Sequence, residues 1–269
     1  MLKARVLTAI VLAAALLAAI FALPVKILGL FVGAIVWLAV GEWAKLVKME
    51  RLGGMIFQTV IALIVIRYGF ADPTVNRGMM LMLIFLCALS FWILTAPGLL
   101  KLFMPLGSGY VAYLIGATVF IPAGIAMIFL VQVSPWMLLA ALAPVWIADI
   151  AAFFVGRAFG RRKLAPTISP GKSWEGAIGA VVAVIIYALL LWAFVPAIAA
   201  RIGIPLLILV AIVYTAMSVV GDLFESMVKR HAGVKDSGTL LPGHGGILDR
   251  IDSVLPTLPL AAALVVWLH

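Results

Sequence analysis

Apolar residues run in long uncharged blocks along most of this chain, and short stretches between them collect Lys, Arg, Gly and Pro. Blocks of about 20 apolar residues match the thickness of a hydrocarbon core, where a backbone must satisfy its own hydrogen bonds. The pattern therefore predicts membrane-crossing helices. Nine spans are expected, at roughly 5–23, 26–44, 55–71, 78–95, 110–131, 136–158, 177–199, 202–221 and 251–268. The expected fold class is all-α, a polytopic integral membrane protein with about nine transmembrane helices.

Composition agrees. With 66% of its 269 residues hydrophobic and 11% charged, the chain has too little polar surface to cover a water-soluble globule. Its few charges are mostly basic, and basic residues gather in cytoplasmic loops. With the N-terminus inside, fifteen of the 19 Lys and Arg fall on the cytoplasmic side, leaving Lys26, Arg67, Arg77 and Arg201 outside. An inside N-terminus and an outside C-terminus follow. The first block starts like a secretory signal, but its apolar run is longer than a signal core, so it is expected to stay. The single cysteine, Cys87, permits no internal disulfide.

The chain divides by chemistry. Residues 1–135 read as a scaffold of about five helices, and residues 136–269 as a catalytic region of about four helices plus two cytoplasmic loops. In the scaffold, Glu42 and Glu50 lie among Lys45, Lys48 and Arg51 and read as a solvated interfacial charge cluster. Trp43, Trp92, Trp136 and Trp267 fall near span ends, as interfacial anchors do. Gly29 and Gly33, and the series Ala148, Ala152, Gly156 and Gly160, have the small-residue spacing of close helix contacts and suggest a homodimer. Seven of the ten acidic residues lie between Asp149 and Asp252, so function is sought there.

Asp149 sits inside an apolar span, where an unpaired carboxylate costs a few kcal/mol, and should face the bundle interior. Arg157, two turns on, shares its face. The next loop, "GRRKLAPTISPGKSWEG", places Ser169, Lys172 and Ser173 in a cation-rich, Pro-punctuated turn. Its "GKS" is not a P-loop, because Pro166 stands where the motif needs glycine and no strand is expected before it. The loop reads either as a plain cytoplasmic basic loop or, with at least equal weight, as an anion site formed by Lys172 and turn amides.

In "VVGDLFESMVKRHAGVKD", helical spacing would put Asp222, Ser226 and Lys229 on one face. In "GHGGILDRID", Gly245 and Gly246 permit close backbone approach, while Asp249 and Asp252 share a face at the start of the last span. Clustered carboxylates suit a hard divalent cation, and magnesium often takes phosphate oxygens as well. With so few His and no nearby Cys ligand, zinc is not expected. Magnesium carboxylates beside many cations, at a membrane surface, fit phosphoryl or nucleotidyl transfer to an anionic amphiphile.

The segment "SMVKRHAGVKDSGTLLPGHGGILDRID", Ser226 to Asp252, resembles the signature of the phosphatidate cytidylyltransferase (CDP-diacylglycerol synthase) family. "D-x-x-A-F" at Asp149 and "SPGKSWEG" at 169–176 resemble it too. The resemblance implies transfer of CMP from CTP to phosphatidic acid, giving CDP-diacylglycerol and pyrophosphate, with Mg2+ required. The catalytic set expected is Asp222, Lys229, Lys235, Asp249, Arg250 and Asp252. Ser169, Lys172, Ser226, Arg230, His244, Gly245 and Gly246 would bind substrate. Asp222, Asp249 and Asp252 would hold one or two cations, with Asp149 as a further candidate. CTP, phosphatidic acid and membrane lipids are the expected partners, with no nucleic acid, and the site is expected on the cytoplasmic side of a bacterial inner membrane. A CTP-dependent polyprenol kinase and a membrane transporter are the rival readings.

Overall fold

The computed structural model describes residues 14–71, 78–107, 109–240 and 245–268. Helical residues 14–22 (α1) are followed by α2 (Val25–Leu46), α3 (Arg51–Gly69), α4 (Gly78–Leu102), α5 (Tyr110–Val133) and α6 (Pro135–Phe159). After a small hairpin come α7 (Trp174–Phe194), α8 (Ile204–Ala232) and α9 (Val254–Leu268). Among the described residues, the seven helices α2 to α8 are long and apolar enough to cross a membrane. The first expected span is described only for 14–22, and α9 has 15 residues, so nine full spans are not established. The chain is predominantly α-helical and an integral membrane protein.

Several boundaries differ for local reasons. α4 contains a π-helical turn, Phe91–Thr95, just before Pro97, which has no N–H to donate to the preceding turn. α8 runs 29 residues to Ala232, so the polar stretch after the expected 202–221 span is a continuation of the same helix, ended by Gly233 at φ 77°. The expected 251–268 span is broken at its start. A single turn, Leu248–Ile251, is separated from α9 by Asp252, whose carboxylate accepts from the Ser253 amide at 2.7 Å.

α2 and α3 form an antiparallel pair against α5, and α9 packs between α4 and α5. Their contacts build the main core around Val65, Phe85, Phe120, Ile128, Leu130, Met227 and Leu258. Trp43 and Trp92 belong to this core, being 3% and 1% exposed, rather than to the interface as their sequence positions suggest. Both pack on Phe224 of α8, at ring separations of 6.2 and 5.5 Å, and so join the first half of the chain to the helix carrying Asp222. Trp136 and Trp267 are exposed.

α6, α7 and α8 make a second group. They meet through the small side chains Ala148, Ala180, Val184 and Ala211. Glycines let α6 and α7 come close: a Cβ on Gly176 would lie 2.8 Å from the Ala152 carbonyl oxygen. The result is a three-helix cleft whose polar end is the candidate site.

Candidate active site

The loop after α6 is a two-stranded antiparallel hairpin, β1 (Lys163–Ala165) and β2 (Ser169–Ser173), where sequence suggested only a turn. A strand does therefore precede and include Gly171–Ser173. Pro166 still occupies the required glycine position, and the triplet lies in a strand rather than wrapped as a phosphate loop. Ser173 then caps α7, accepting from the Gly176 amide at 3.2 Å. Glu175 fastens the hairpin base to the same helix by accepting from the Arg161 and Arg162 amides at 3.1 and 3.2 Å.

This hairpin roofs a cavity of about 630 Å³ between α6, α7 and α8. Asp149 and Arg157 line it from α6, Ser169, Lys172 and Ser173 from the hairpin, and Ser218 and Asp222 from α8. Asp149 thus opens into the bundle interior, which relieves the cost of a carboxylate at that depth. Lys172 pairs with Asp222, and Ser226 donates to Asp222 Oδ1 at 3.3 Å.

The signature segment comes to the same end of α8. A Cβ on Gly221 would lie 2.5 Å from the Asp252 carbonyl oxygen, so this glycine admits the Asp252 turn beside Asp222. Burial, and then the neighbouring Asp222 carboxylate, push the Asp252 carboxyl up to about 7. Asp149 adds to that repulsion and Lys172 opposes it. Lys172 and Arg250 are both within electrostatic reach of Asp149. Asp149 and Asp222 therefore line one cavity with Lys172, and Asp252 lies within electrostatic reach of all three.

Asp249 has a different environment. Lys229 Nζ lies 2.5 Å from Asp249 Oδ1 and also pairs with the buried Glu225. Oδ2 accepts from the amides of Ser237 and Gly246, both at 2.8 Å. Burial disfavours the charged form of Asp249, but the Lys229 hydrogen bond and the two amides outweigh it and hold its pKa down to about 2. The Gly246 amide expected to cradle a ligand anion thus holds a protein carboxylate. Gly245, at φ 79°, turns the chain where a side chain would strike Asp249 Oδ2.

Other expected residues are spread around this centre. Arg230 donates to the Ile168 carbonyl at 3.2 Å, tying α8 to the hairpin, and Lys235 is exposed at the start of the signature loop. His244 lies outside the described residues. Among the described residues, no group of three or more His, Cys, Asp or Glu side chains stands ready to hold a metal ion.

A model of the cytidylyltransferase family matches residues 3–268. The chain belongs to this family. It is 36% identical to a phosphatidate cytidylyltransferase of Pseudomonas aeruginosa over 268 residues, covering 98% of this chain and 97% of the relative. A Haemophilus influenzae protein of the same name is 36% identical over 280 residues, covering 96% of each chain. A Brucella suis phosphatidate cytidylyltransferase is 49% identical over 126 residues, 47% of this chain and 43% of the relative.

Within this family member, three residues that sequence reading passed over hold the signature loop together. Glu42 is 7% exposed, which corrects its reading as a solvated charge. Its carboxylate crosses from α2 to accept from Ser237 Oγ at 2.8 Å and from the Ile247 and Leu248 amides at 3.0 and 2.8 Å. Ser237 and Glu225 complete the surroundings of Asp249. The signal that could have found Glu42 is its place inside an apolar helix, between Val40 and Trp43, where a carboxylate turned from solvent needs donors from elsewhere.

Proposed function

We infer that the chain transfers the cytidylyl group of CTP to phosphatidate, forming CDP-diacylglycerol and releasing pyrophosphate. One observation carries this reading beyond the family match. A cavity between membrane-crossing helices gathers Asp149, Asp222, Lys172 and Arg157, which is the charge pattern two phosphate-bearing substrates require where one of them is a lipid. A phosphomonoester has a second pKa of about 6, so the phosphatidate phosphate is largely dianionic at neutral pH and needs no strong base. Its oxygen attacks the α-phosphorus of CTP, a new P–O bond forms, and the bond to the pyrophosphate oxygen breaks with its electron pair leaving on pyrophosphate.

Magnesium fits these residues. It is commonly held by one or two carboxylates plus substrate phosphates, so a protein cage of three ligands is not required. Asp222 and Asp252 would hold it, with Asp149 facing the cavity beside Asp222, while Asp249, also expected as a ligand, would fix the turn that carries Asp252. The ion would screen and align phosphate oxygens when bound. Lys172, Arg157, Arg230, Lys235 and Arg250 neutralise the polyanions, and Ser169 and Ser226 orient phosphate oxygens. Lys229 is committed to Asp249 and Glu225, so its part is to fix the signature loop. The site belongs on the cytoplasmic face of a bacterial inner membrane, where CTP is available.

The test uses detergent-solubilised protein with phosphatidate, magnesium and CTP labelled in the cytidine and in the γ-phosphate. Cytidine label in lipid and γ-label in pyrophosphate are expected, with activity lost on chelation and restored by magnesium. γ-Label in lipid would make the protein a kinase. Intact CTP after incubation with several lipid phosphates would overturn the enzyme reading.

A further inference from the structure

Glu42 belongs to the second helix of the chain, 195 residues from Ser237, yet both its oxygens are spent on one short loop of the signature. Oε1 accepts from Ile247 and Oε2 from Leu248 and Ser237. The fit is close. A Cβ on Gly246 would lie 2.3 Å from Oε2, and one on Gly238 would lie 2.5 Å from Oε1. An apolar side chain in its place would leave the Ile247 and Leu248 amides and the Ser237 hydroxyl without this acceptor, so the carboxylate itself holds the loop in this shape.

Ser237 links Glu42 to the site. Its hydroxyl lies 2.8 Å from Glu42 Oε2 and 2.9 Å from Asp249 Oδ2, and it accepts the Asp249 amide at 3.3 Å. A hydroxyl has one proton, so it donates to one of the two carboxylates at a time. Whichever way that proton points, the hydroxyl sits between the two carboxylates, and Asp249 is held between it and Lys229.

We propose that Glu42 is a positioning residue for the transfer reaction, acting through Ser237 and the Ile247 and Leu248 amides to set the Asp249 carboxylate. The proposal rests on cytidylyl transfer being the activity of the chain. Glu42→Gln keeps the shape but turns one acceptor into an NH2 that must face a donor. It lowers kcat by roughly 10- to 100-fold, the usual cost of losing an outer partner of a site carboxylate. KM for CTP changes by less than about threefold, because the effect reaches turnover rather than binding. Ser237→Ala gives a comparable fall, and the double variant falls little further, since groups acting as a unit are not additive.

A role confined to folding would instead lower the melting temperature and leave kcat of the folded fraction intact. Wild-type kcat in Glu42→Gln, or losses that multiply in the double variant, would overturn the proposal. If Glu42→Gln does not fold, Ser237→Ala keeps both backbone bonds and is combined with Asp249→Asn, where multiplying losses again overturn it. Wild-type protein without cytidylyl transfer would overturn the functional reading itself, a result distinct from any variant behaviour.

Discussion

Two aspartates three positions apart are held in opposite ways. Asp252 is pushed up to about 7 by burial and by Asp222, which together outweigh the opposing Lys172 charge. Asp249 is held at about 2, against an ordinary value of 3.8, by Lys229 and the loop amides. Its folded pKa is depressed, so the stability it contributes is present above the unfolded value and lost as pH falls through the folded one. The amount is about 2 kcal/mol. In detergent, wild-type thermal stability is therefore expected to drop between about pH 5 and pH 2 by more than that of Asp249→Asn. Equal slopes would remove Lys229 and the amides as the cause. The sequence spacing of Asp249 and Asp252 announced a shared helical face, but a single helical turn ends between them, and each took its own environment.

Elements meet at the site through backbone contacts that leave no room for a side chain. Gly221 of α8 lies against the Asp252 carbonyl, with a Cβ distance of 2.5 Å to an atom that cannot rotate away. Gly221→Ala must push the Asp252 turn off α8, at a cost of about 1–3 kcal/mol typical of overpacking. Turnover is expected to fall more than about tenfold, as misplacement of site groups by an ångström does. Unchanged kinetics with unchanged stability would mean that the turn and α8 are not so closely packed. The hairpin is the other decisive element. Ser169 and Lys172 were visible as a polar turn, but their place over α8 follows from strand pairing and from Glu175 binding two amides, contacts that no local pattern encodes.

Across the whole molecule, apolar helix faces are left exposed to meet lipid. α7 is the clearest case, with only 11% of its most apolar window buried in the protein and residues such as Ile178, Val182, Ile186 and Leu190 left for lipid. Gly171 and Arg201 flank α7 and the short turn after it, so the proposed topology puts them on opposite faces of the membrane. In a background with the exposed Cys87 replaced, Gly171→Cys is expected to react with an impermeant maleimide only in inside-out vesicles, and Arg201→Cys only in right-side-out ones. Labelling of both from one side would break the assignment of α7 as a membrane span.

Read alone, the sequence determined the helical membrane class, the position of most spans, the family and the concentration of acidic residues from Asp149 onward. These follow from the length of apolar runs and from residues close together in the chain, and both are properties of a linear string. Tertiary structure alone decided which carboxylates face one another, that Lys172 meets Asp222, that Trp43 and Trp92 are core rather than interface, and that Glu42 belongs to the signature loop. Those outcomes depend on contacts between residues far apart in sequence, where a buried charge must find donors wherever packing brings them.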